Sequence, residues 1–170
     1  MRRLLTWLLL CLGLAGTCAA AELPEYEVKA AFLYNFAQFV EWPPSVGNDI
    51  VLCTYGDDPF GDDLDSIRGQ PVGTRSMRVQ RRVAEEGVER CQVLYVSRDA
   101  IGELPALRAR LAARPVLIVA DSPDAVRNGA TLNMTVVQGR VTFEANRKVA
   151  RESGIDLSSR LLRLATLVIQ

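Results

Sequence analysis

The sequence predicts an α/β fold: a single domain with a mixed, mostly parallel sheet, helices on both faces, and a C-terminal hairpin followed by helices. Two runs, residues 91–96 and 116–120, are almost continuously apolar, as in strands that are buried on both faces. They alternate with helical patterns, which is typical of parallel α/β sheets. Residues 131–137 and 140–145 flank Gln138 and Gly139 and predict a hairpin, which makes the sheet mixed.

The N-terminal half begins with a predicted helix over residues 25–42, which the two prolines at 43 and 44 end. Its apolar stripe consists of Val28, Phe32, Phe36, Phe39 and Val40. A strand over residues 50–55, a short helix over 60–67 and an exposed edge strand over 75–83 are predicted to follow.

The C-terminal half is predicted to add a helix over residues 104–113 and a short helix that ends at Arg127. Asn146 is a favoured cap for a helix over residues 147–153, which Gly154 ends. Ser158 or Ser159 caps a final helix. The inward face of this final helix is expected to contain Leu161, Leu162, Ala165 and Val168.

The first 21 residues match a secretory signal peptide. Arg2 and Arg3 precede an apolar run over residues 4–14, and small residues at 17–21 place the cleavage site near Ala21. The run is shorter than the roughly 20 residues that a membrane-spanning helix needs. An uncleaved anchor or an N-terminal core helix is the alternative. We therefore expect export, with a mature domain over residues 22–170.

The composition argues against several functional classes. The chain has no histidine, which excludes His-based catalytic triads and His-bearing zinc sites. Without Arg2 and Arg3, 18 basic and 20 acidic residues remain, a net charge of −2, so the sequence indicates no basic surface for nucleic acid. No glycine-rich phosphate loop is present. We expect no catalysis, no cofactor and no metal site.

Two of the four cysteines, Cys53 and Cys91, lie beyond the predicted signal peptide, each in a predicted strand. Two cysteines in an exported protein usually pair. If the two strands are neighbours in the sheet, a disulfide between these residues is geometrically reasonable. Two buried free thiols are the alternative.

Two separated motifs identify the chain as similar to the YfiR-like family of periplasmic proteins. The first covers residues 26–43 and reads YEVKAAFLYNFAQFVEWP. The second consists of FEAN at residues 143–146 and GIDLSSRLLRLA at 154–165. The resemblance covers essentially the whole mature chain. Some members carry a second cysteine pair near the C-terminal hairpin, which this chain lacks.

The resemblance implies a periplasmic repressor that binds the periplasmic sensor domain of a membrane-bound, YfiN-like diguanylate cyclase. Repression lowers cyclic di-GMP and biofilm formation, and the redox state of family disulfides is expected to modulate it. The resemblance also implies an outer-membrane lipoprotein as a further partner. The symmetry preference of soluble oligomers favours a homodimer.

Several residues are candidates for partner binding. The second motif contains Glu144 and Asn146 at the end of the last predicted strand, and Tyr34 lies off the apolar stripe of the first helix. Leu157, Leu161 and Leu164 predict a partly exposed apolar face. Structural roles stay open for them, with Asn146 as a helix cap and the leucines as core residues.

A second function, a periplasmic receptor for a small molecule such as an amino acid or a nucleotide, is the alternative to the repressor. Its pocket would be lined by Phe32, Tyr34, Phe36, Phe39 and Trp42, although aromatic residues at helical spacing are more often core residues.

Overall fold

An eight-stranded, mostly parallel sheet forms the centre of the computed structural model, which describes residues 25–170. The strand order is β10-β8-β7-β6-β5-β2-β4-β3, and β1 and β9 form a separate antiparallel pair. The strands are β1 (Val40–Glu41), β2 (Asp49–Tyr55), β3 (Pro71–Val72), β4 (Arg75–Gln80), β5 (Val93–Val96), β6 (Leu117–Ala120), β7 (Leu132–Val137), β8 (Arg140–Asn146), β9 (Asp156–Leu157) and β10 (Leu167–Ile169). The predicted fold class is confirmed. The predicted signal peptide, residues 1–21, lies outside the described residues.

Helices cover both faces of this sheet. The α-helices are α1 (Glu25–Gln38), α2 (Leu104–Arg110), α3 (Arg147–Glu152) and α4 (Ser159–Leu162). Three 3₁₀ helices cover Gly61–Ile67, Glu85–Arg90 and Ile101–Glu103. Within residues 25–170, no helix has the length and apolar character that a bilayer span would require.

Alternate residues of the central strands point into two separate cores, because side chains on a strand alternate between the two faces of the sheet. Tyr95 of β5 points into the α1-side core, which α1, the 3₁₀ helix at 61–67 and α4 complete. Its neighbours Leu94 and Val96 point into the α2-side core, which contains Leu104 and Leu107 of α2. This double burial explains why β5 and β6 read as continuous apolar runs.

Helix α1 ends earlier than the predicted helix over residues 25–42 and buries a different stripe. It stops at Gln38, and Val40 pairs with Leu157 as part of β1. The buried residues of α1 are Lys29, Ala30, Leu33, Phe36 and Ala37. Burial of Lys29 depends on a carboxylate that is 92 residues away in the sequence, a pairing that helical periodicity cannot reveal.

Two other local predictions were wrong in the C-terminal half. Residues 123–129 form turns instead of a short helix that ends at Arg127. The final helix, predicted to extend to Val168, ends at Leu162, and Val168 instead lies in β10 beside β8. Pairing with the free edge of β8 satisfies the backbone groups of this segment better than one more turn of an exposed helix.

Both predicted helix caps are present. The side chain of Asn146 accepts a hydrogen bond from the backbone N–H of Val149, at the start of α3. Ser158 accepts one from the N–H of Leu161, at the start of α4. Gly154 follows α3 with a φ of +71°, a left-handed conformation that favours glycine and ends the helix. These caps fix the direction in which the C-terminal segment leaves the sheet.

Candidate functional site

An apolar groove opens on the α1 face of the sheet, between α1, β8 and the segment around α4. Its volume is about 380 Å³. The lining residues are Phe32, Asn35, Phe36 and Phe39 of α1, Val141, Thr142 and Phe143 of β8, and Leu161 and Leu164. We call this feature the apolar groove.

Three phenylalanines pack edge to face and form the floor and one wall of the apolar groove. The ring centres of Phe36 and Phe143 lie 5.0 Å apart, and those of Phe32 and Phe36 lie 5.6 Å apart. Phe36 and Phe143 are buried, whereas Phe32 is half-buried and faces the opening. Because such pairs add to the stability that area burial provides, the cluster holds the groove in a fixed shape.

The rim of the apolar groove is mostly uncharged. The lining residues include no acid and no base, and Thr142 contributes a hydroxyl that is paired with the hydroxyl of Thr135 at 2.9 Å. The guanidinium of Arg160 lies 5.5 Å from the centre of the Phe39 ring and adds one positive charge near the opening. A surface of this kind binds by burying apolar area.

The three leucines proposed for partner binding lie in different environments. Leu157 and Leu161 are each 2% exposed and belong to the α1-side core. Leu164 is 64% exposed and lies at the opening of the apolar groove. Burial therefore favours the core role for Leu157 and Leu161, and Leu164 is the leucine that a partner can reach directly.

The polar candidates have structural contacts. Glu144 is half-buried and accepts a hydrogen bond from the side-chain amide of Asn133 at 3.2 Å. Asn146, besides capping α3, donates its amide to the carbonyl of Val126 at 2.8 Å. The hydroxyl of Tyr34 donates to the carbonyl of Pro71 at 2.8 Å, so Tyr34 ties α1 to β3. None of these three residues lines the apolar groove.

A disulfide joins Cys53 of β2 to Cys91, which lies just before β5. The two Cα atoms are 5.9 Å apart, and both residues are buried in the α2-side core. Strands β2 and β5 are parallel neighbours, which is the arrangement that the predicted bridge required. The bridge lies on the opposite face of the sheet from the apolar groove and does not line it.

Sequence reasoning found part of this site. The aromatic spacing of α1 indicated Phe32, Phe36 and Phe39 as either core or pocket residues, and the structure shows that they serve as both. Thr142 of β8 was missed, although the predicted hairpin could have indicated it as a neighbour of Phe143. Among the described residues, no group of three or more acids and cysteines is placed to hold a metal ion.

Comparison with protein families gives a match over nearly the whole described chain. The model of a family described as YfiR/HmsC-like matches residues 26–166. Both motifs on which the resemblance rests lie within this range.

Comparison with solved structures gives fold similarity alone. One is described as an ABC domain in complex with L-Trp from Streptococcus pneumonia, with a TM-score of 0.53 and 12% identity, covering 82% of this chain and 60% of that chain. Another is a conserved domain protein from Vibrio cholerae O1 biovar El Tor, with a TM-score of 0.51 and 12% identity, covering 86% of this chain and 61% of that chain. The present chain therefore spans about three fifths of the length of these structures.

Proposed function

This chain belongs to the YfiR/HmsC-like family of periplasmic regulators, and from that membership we propose that it represses a membrane-bound diguanylate cyclase. It does so by binding the periplasmic sensor domain of the cyclase, which lowers cyclic di-GMP and biofilm formation. Export by a signal peptide over residues 1–21, with cleavage near Ala21, and a functional domain over 22–170 are parts of this proposal. The observation that supports it best is the apolar groove with Leu164 at its opening.

The dimensions of the apolar groove fit an anchor residue of a partner protein. A volume of about 380 Å³ holds one or two large apolar side chains. Binding energy at protein interfaces is concentrated in a few such anchors that fill well-packed pockets. Leu164 and the half-buried Phe32 and Phe39 supply apolar area around the opening. We therefore place the contact with the cyclase sensor domain at this groove.

Affinity capture from solubilised membranes tests this proposal, with the mature chain, residues 22–170, as bait. Leu164→Asp places a charge at the opening of the groove and should reduce capture of the cyclase at least about tenfold, the equivalent of about 1.4 kcal/mol. Val137→Asp is the matched control, because Val137 is 53% exposed at the hairpin and does not line the groove. It should capture as well as the native chain.

Two outcomes would overturn the repressor proposal. One is the absence of any captured membrane protein that carries a cytoplasmic cyclase domain. The other is a clean gene deletion that leaves cyclic di-GMP unchanged in a strain that retains the cognate cyclase. Equal capture by Leu164→Asp and Val137→Asp would reject the groove as the contact, because the charge would then have no effect.

Redox control is a further part of the proposal. The Cys53–Cys91 bridge is the candidate element, and the same capture repeated with a reductant tests it. Loss of the cyclase under reductant, with retention by the oxidised chain, supports a redox switch. A homodimer and an outer-membrane lipoprotein partner are further expectations, which light scattering and the same capture experiment address.

A small-molecule receptor is the second candidate function. The observation in its favour is that the apolar groove is also a cavity lined by four phenylalanines, as small-molecule sites often are. If no membrane protein is captured under either redox condition, thermal-shift screening of the mature chain against amino acids and nucleotides becomes the deciding experiment.

A further inference from the structure

A second cavity lies at the carboxyl ends of the parallel strands, at the point where the chain reverses its direction across the sheet. Strand β2 lies between β4 and β5, and its chain continues into the 3₁₀ helix at 61–67, which packs in the α1-side core. The chain that leaves β5 continues into α2, in the α2-side core. Loops that diverge in this way open a crevice, which is where open α/β sheets bind ligands.

The crevice forms a cavity of about 250 Å³. We call it the switch-point cavity. Asp57 and Pro59 follow β2, and Ser97, Arg98 and Asp99 follow β5. Tyr26 of α1 covers one side, and none of these residues lines the apolar groove. The volume is below the roughly 300–1,000 Å³ of drug-sized sites, so the cavity suits a small molecule.

The two loops are fixed to each other before any ligand arrives. The backbone N–H of Ser97 donates to the carbonyl of Tyr55 at 3.1 Å, and the N–H of Asp57 donates to the Asp99 carboxylate at 3.2 Å. Gly56 lies between them with a φ of +81°, and a Cβ atom there would lie 2.2 Å from Oγ of Ser97. Only glycine permits this close approach, so the geometry of the cavity is preorganised.

Arg98 is oriented toward this edge of the sheet by a buried carboxylate. Its Nε donates to the carbonyl of Asp121 at 3.1 Å, and its Nη2 lies 3.3 Å from Oδ2 of Asp121. Yet the Arg98 side chain remains 60% exposed. Asp121 is held from the other side by Lys29 at 2.6 Å, and both of these side chains are completely buried.

This buried charge arrangement is costly and only partly satisfied. Removing an ion from water costs several kcal/mol, and apolar residues of similar volume often stabilise a fold as well as a buried ion pair does. Among the described residues, Oδ1 of Asp121 and Oγ of Ser122 have no hydrogen-bond partner. Asp121 and Ser122 do not line the switch-point cavity, and Arg98, which pairs with Asp121 and does line it, connects this charge arrangement to the cavity. Charged groups held in such costly surroundings beside a cleft are typical of functional sites.

The charges that face the switch-point cavity have both signs. Arg98 supplies a guanidinium, which also lies 3.6 Å from the carboxylate of Glu25, and the exposed side chains of Asp57 and Asp99 supply two carboxylates. An anion would be repelled by the two aspartates, and a cation would be repelled by the arginine. A small zwitterion satisfies both. We propose that the switch-point cavity binds a free α-amino acid, with its carboxylate on Arg98, its ammonium on Asp57 and Asp99, and its side chain against Tyr26.

This inference goes beyond the repressor proposal and does not depend on it. Isothermal titration calorimetry with the mature chain and each of the twenty standard L-amino acids tests it. At least one amino acid should bind, and the amine and the acid that each lack one of its two charged groups should bind at least about tenfold more weakly. No binding by any of the twenty, or equal binding by the amine, would overturn the proposal.

Substitutions locate the site. Asp57→Asn and Arg98→Gln should each weaken binding at least about tenfold. The Asp57 side chain has no ion pair or hydrogen bond among residues 25–170, so its replacement should leave the fold intact. Asp62→Asn, an exposed aspartate outside the cavity, is the matched control and should bind normally. Binding that survives both site variants, or that Leu164→Asp abolishes, would reject this location.

Discussion

Single residues at the ends of the strands determine much of the local geometry. Asn146 is the last residue of β8. Its side-chain oxygen accepts a hydrogen bond from the N–H of Val149 and caps α3, and its side-chain amide donates one to the carbonyl of Val126. Two backbone groups that would otherwise be buried without partners, the N–H of Val149 and the carbonyl of Val126, depend on this one side chain. Its replacement by alanine would therefore affect more than a helix cap. The prediction from sequence identified the cap and missed the contact with Val126, which is 20 residues away.

Tyr55 gives a pH-dependent prediction at the residue scale. Its hydroxyl donates to the Glu103 carboxylate, and this bond raises the pKa of Tyr55 to about 12. Because the pKa of Tyr55 is higher in the folded state, the stability that this hydrogen bond contributes is fully present below the unfolded-state pKa of about 10. It is lost as the pH rises toward 12. Tyr55→Phe should lower the free energy of unfolding by about 1 kcal/mol at pH 8.

Urea unfolding of the native chain and Tyr55→Phe at pH 8, 10 and 11 measures this effect. The difference between the two proteins should shrink progressively above pH 10. Tyr34→Phe is the control, because the Tyr34 hydroxyl donates to a neutral carbonyl. A Tyr55→Phe difference that stays constant to pH 11 would contradict the assignment of the bond to the Glu103 carboxylate.

At the scale of elements, α1 connects the two candidate sites. Phe32, Phe36 and Phe39 line the apolar groove, and Tyr26, in its first turn, lines the switch-point cavity. Between these groups, the ammonium of Lys29 donates a hydrogen bond to the carboxylate of Asp121, which lies just beyond the end of β6. A ligand at one end of α1 and a partner near the other end would therefore contact the same rigid element.

The Lys29–Asp121 pair gives a prediction at this scale. Lys29→Met leaves the buried carboxylate without its 2.6 Å partner and should destabilise the fold by about 3 kcal/mol, since removing one member of a buried pair is strongly unfavourable. The double variant Lys29→Met with Asp121→Asn should recover most of this loss. Arg68→Met, which breaks an exposed pair with Asp65, should cost less than about 1 kcal/mol. Urea unfolding that shows equal losses for both single variants would exclude this role of the buried pair.

On the scale of the whole molecule, the sheet separates the two candidate sites and the disulfide. The apolar groove lies on the α1 face, the disulfide lies on the α2 face, and the switch-point cavity lies at the carboxyl edge of the parallel strands. The disulfide closes a stretch of 38 residues that contains β3, β4 and two 3₁₀ helices. Its effect on stability therefore arises mainly from the entropy of the unfolded chain.

Loss of this disulfide gives a prediction at the scale of the whole molecule. Cys53→Ser or Cys91→Ser should each lower the free energy of unfolding by about 3–4 kcal/mol, the value expected from the entropy of closing a loop of this length. Urea unfolding measures the change, and the native chain in excess reductant should match either variant. The double variant should be no less stable than the single ones. Free thiols in protein that is taken directly from the periplasm would contradict the bridge.

The local pattern alone predicted the features whose causes lie within a few residues. The apolar runs of β5 and β6, the hairpin of β7 and β8, and the caps Asn146 and Ser158 are of this kind. The α/β class follows from their order. The structure also contains the predicted Cys53–Cys91 disulfide, and strands β2 and β5 are neighbours, as that pairing required.

Only the tertiary structure decided which distant groups meet. It paired Lys29 with Asp121 and placed Val168, predicted to lie in the final helix, in β10. It also separated the exposed Leu164 from the buried Leu161 on what was predicted as one face. It also brought the loops after β2 and β5 together around the switch-point cavity. The physical reason is that helical and strand preferences are local and weak, whereas edge pairing, charge pairing and burial depend on neighbours that only the folded chain supplies.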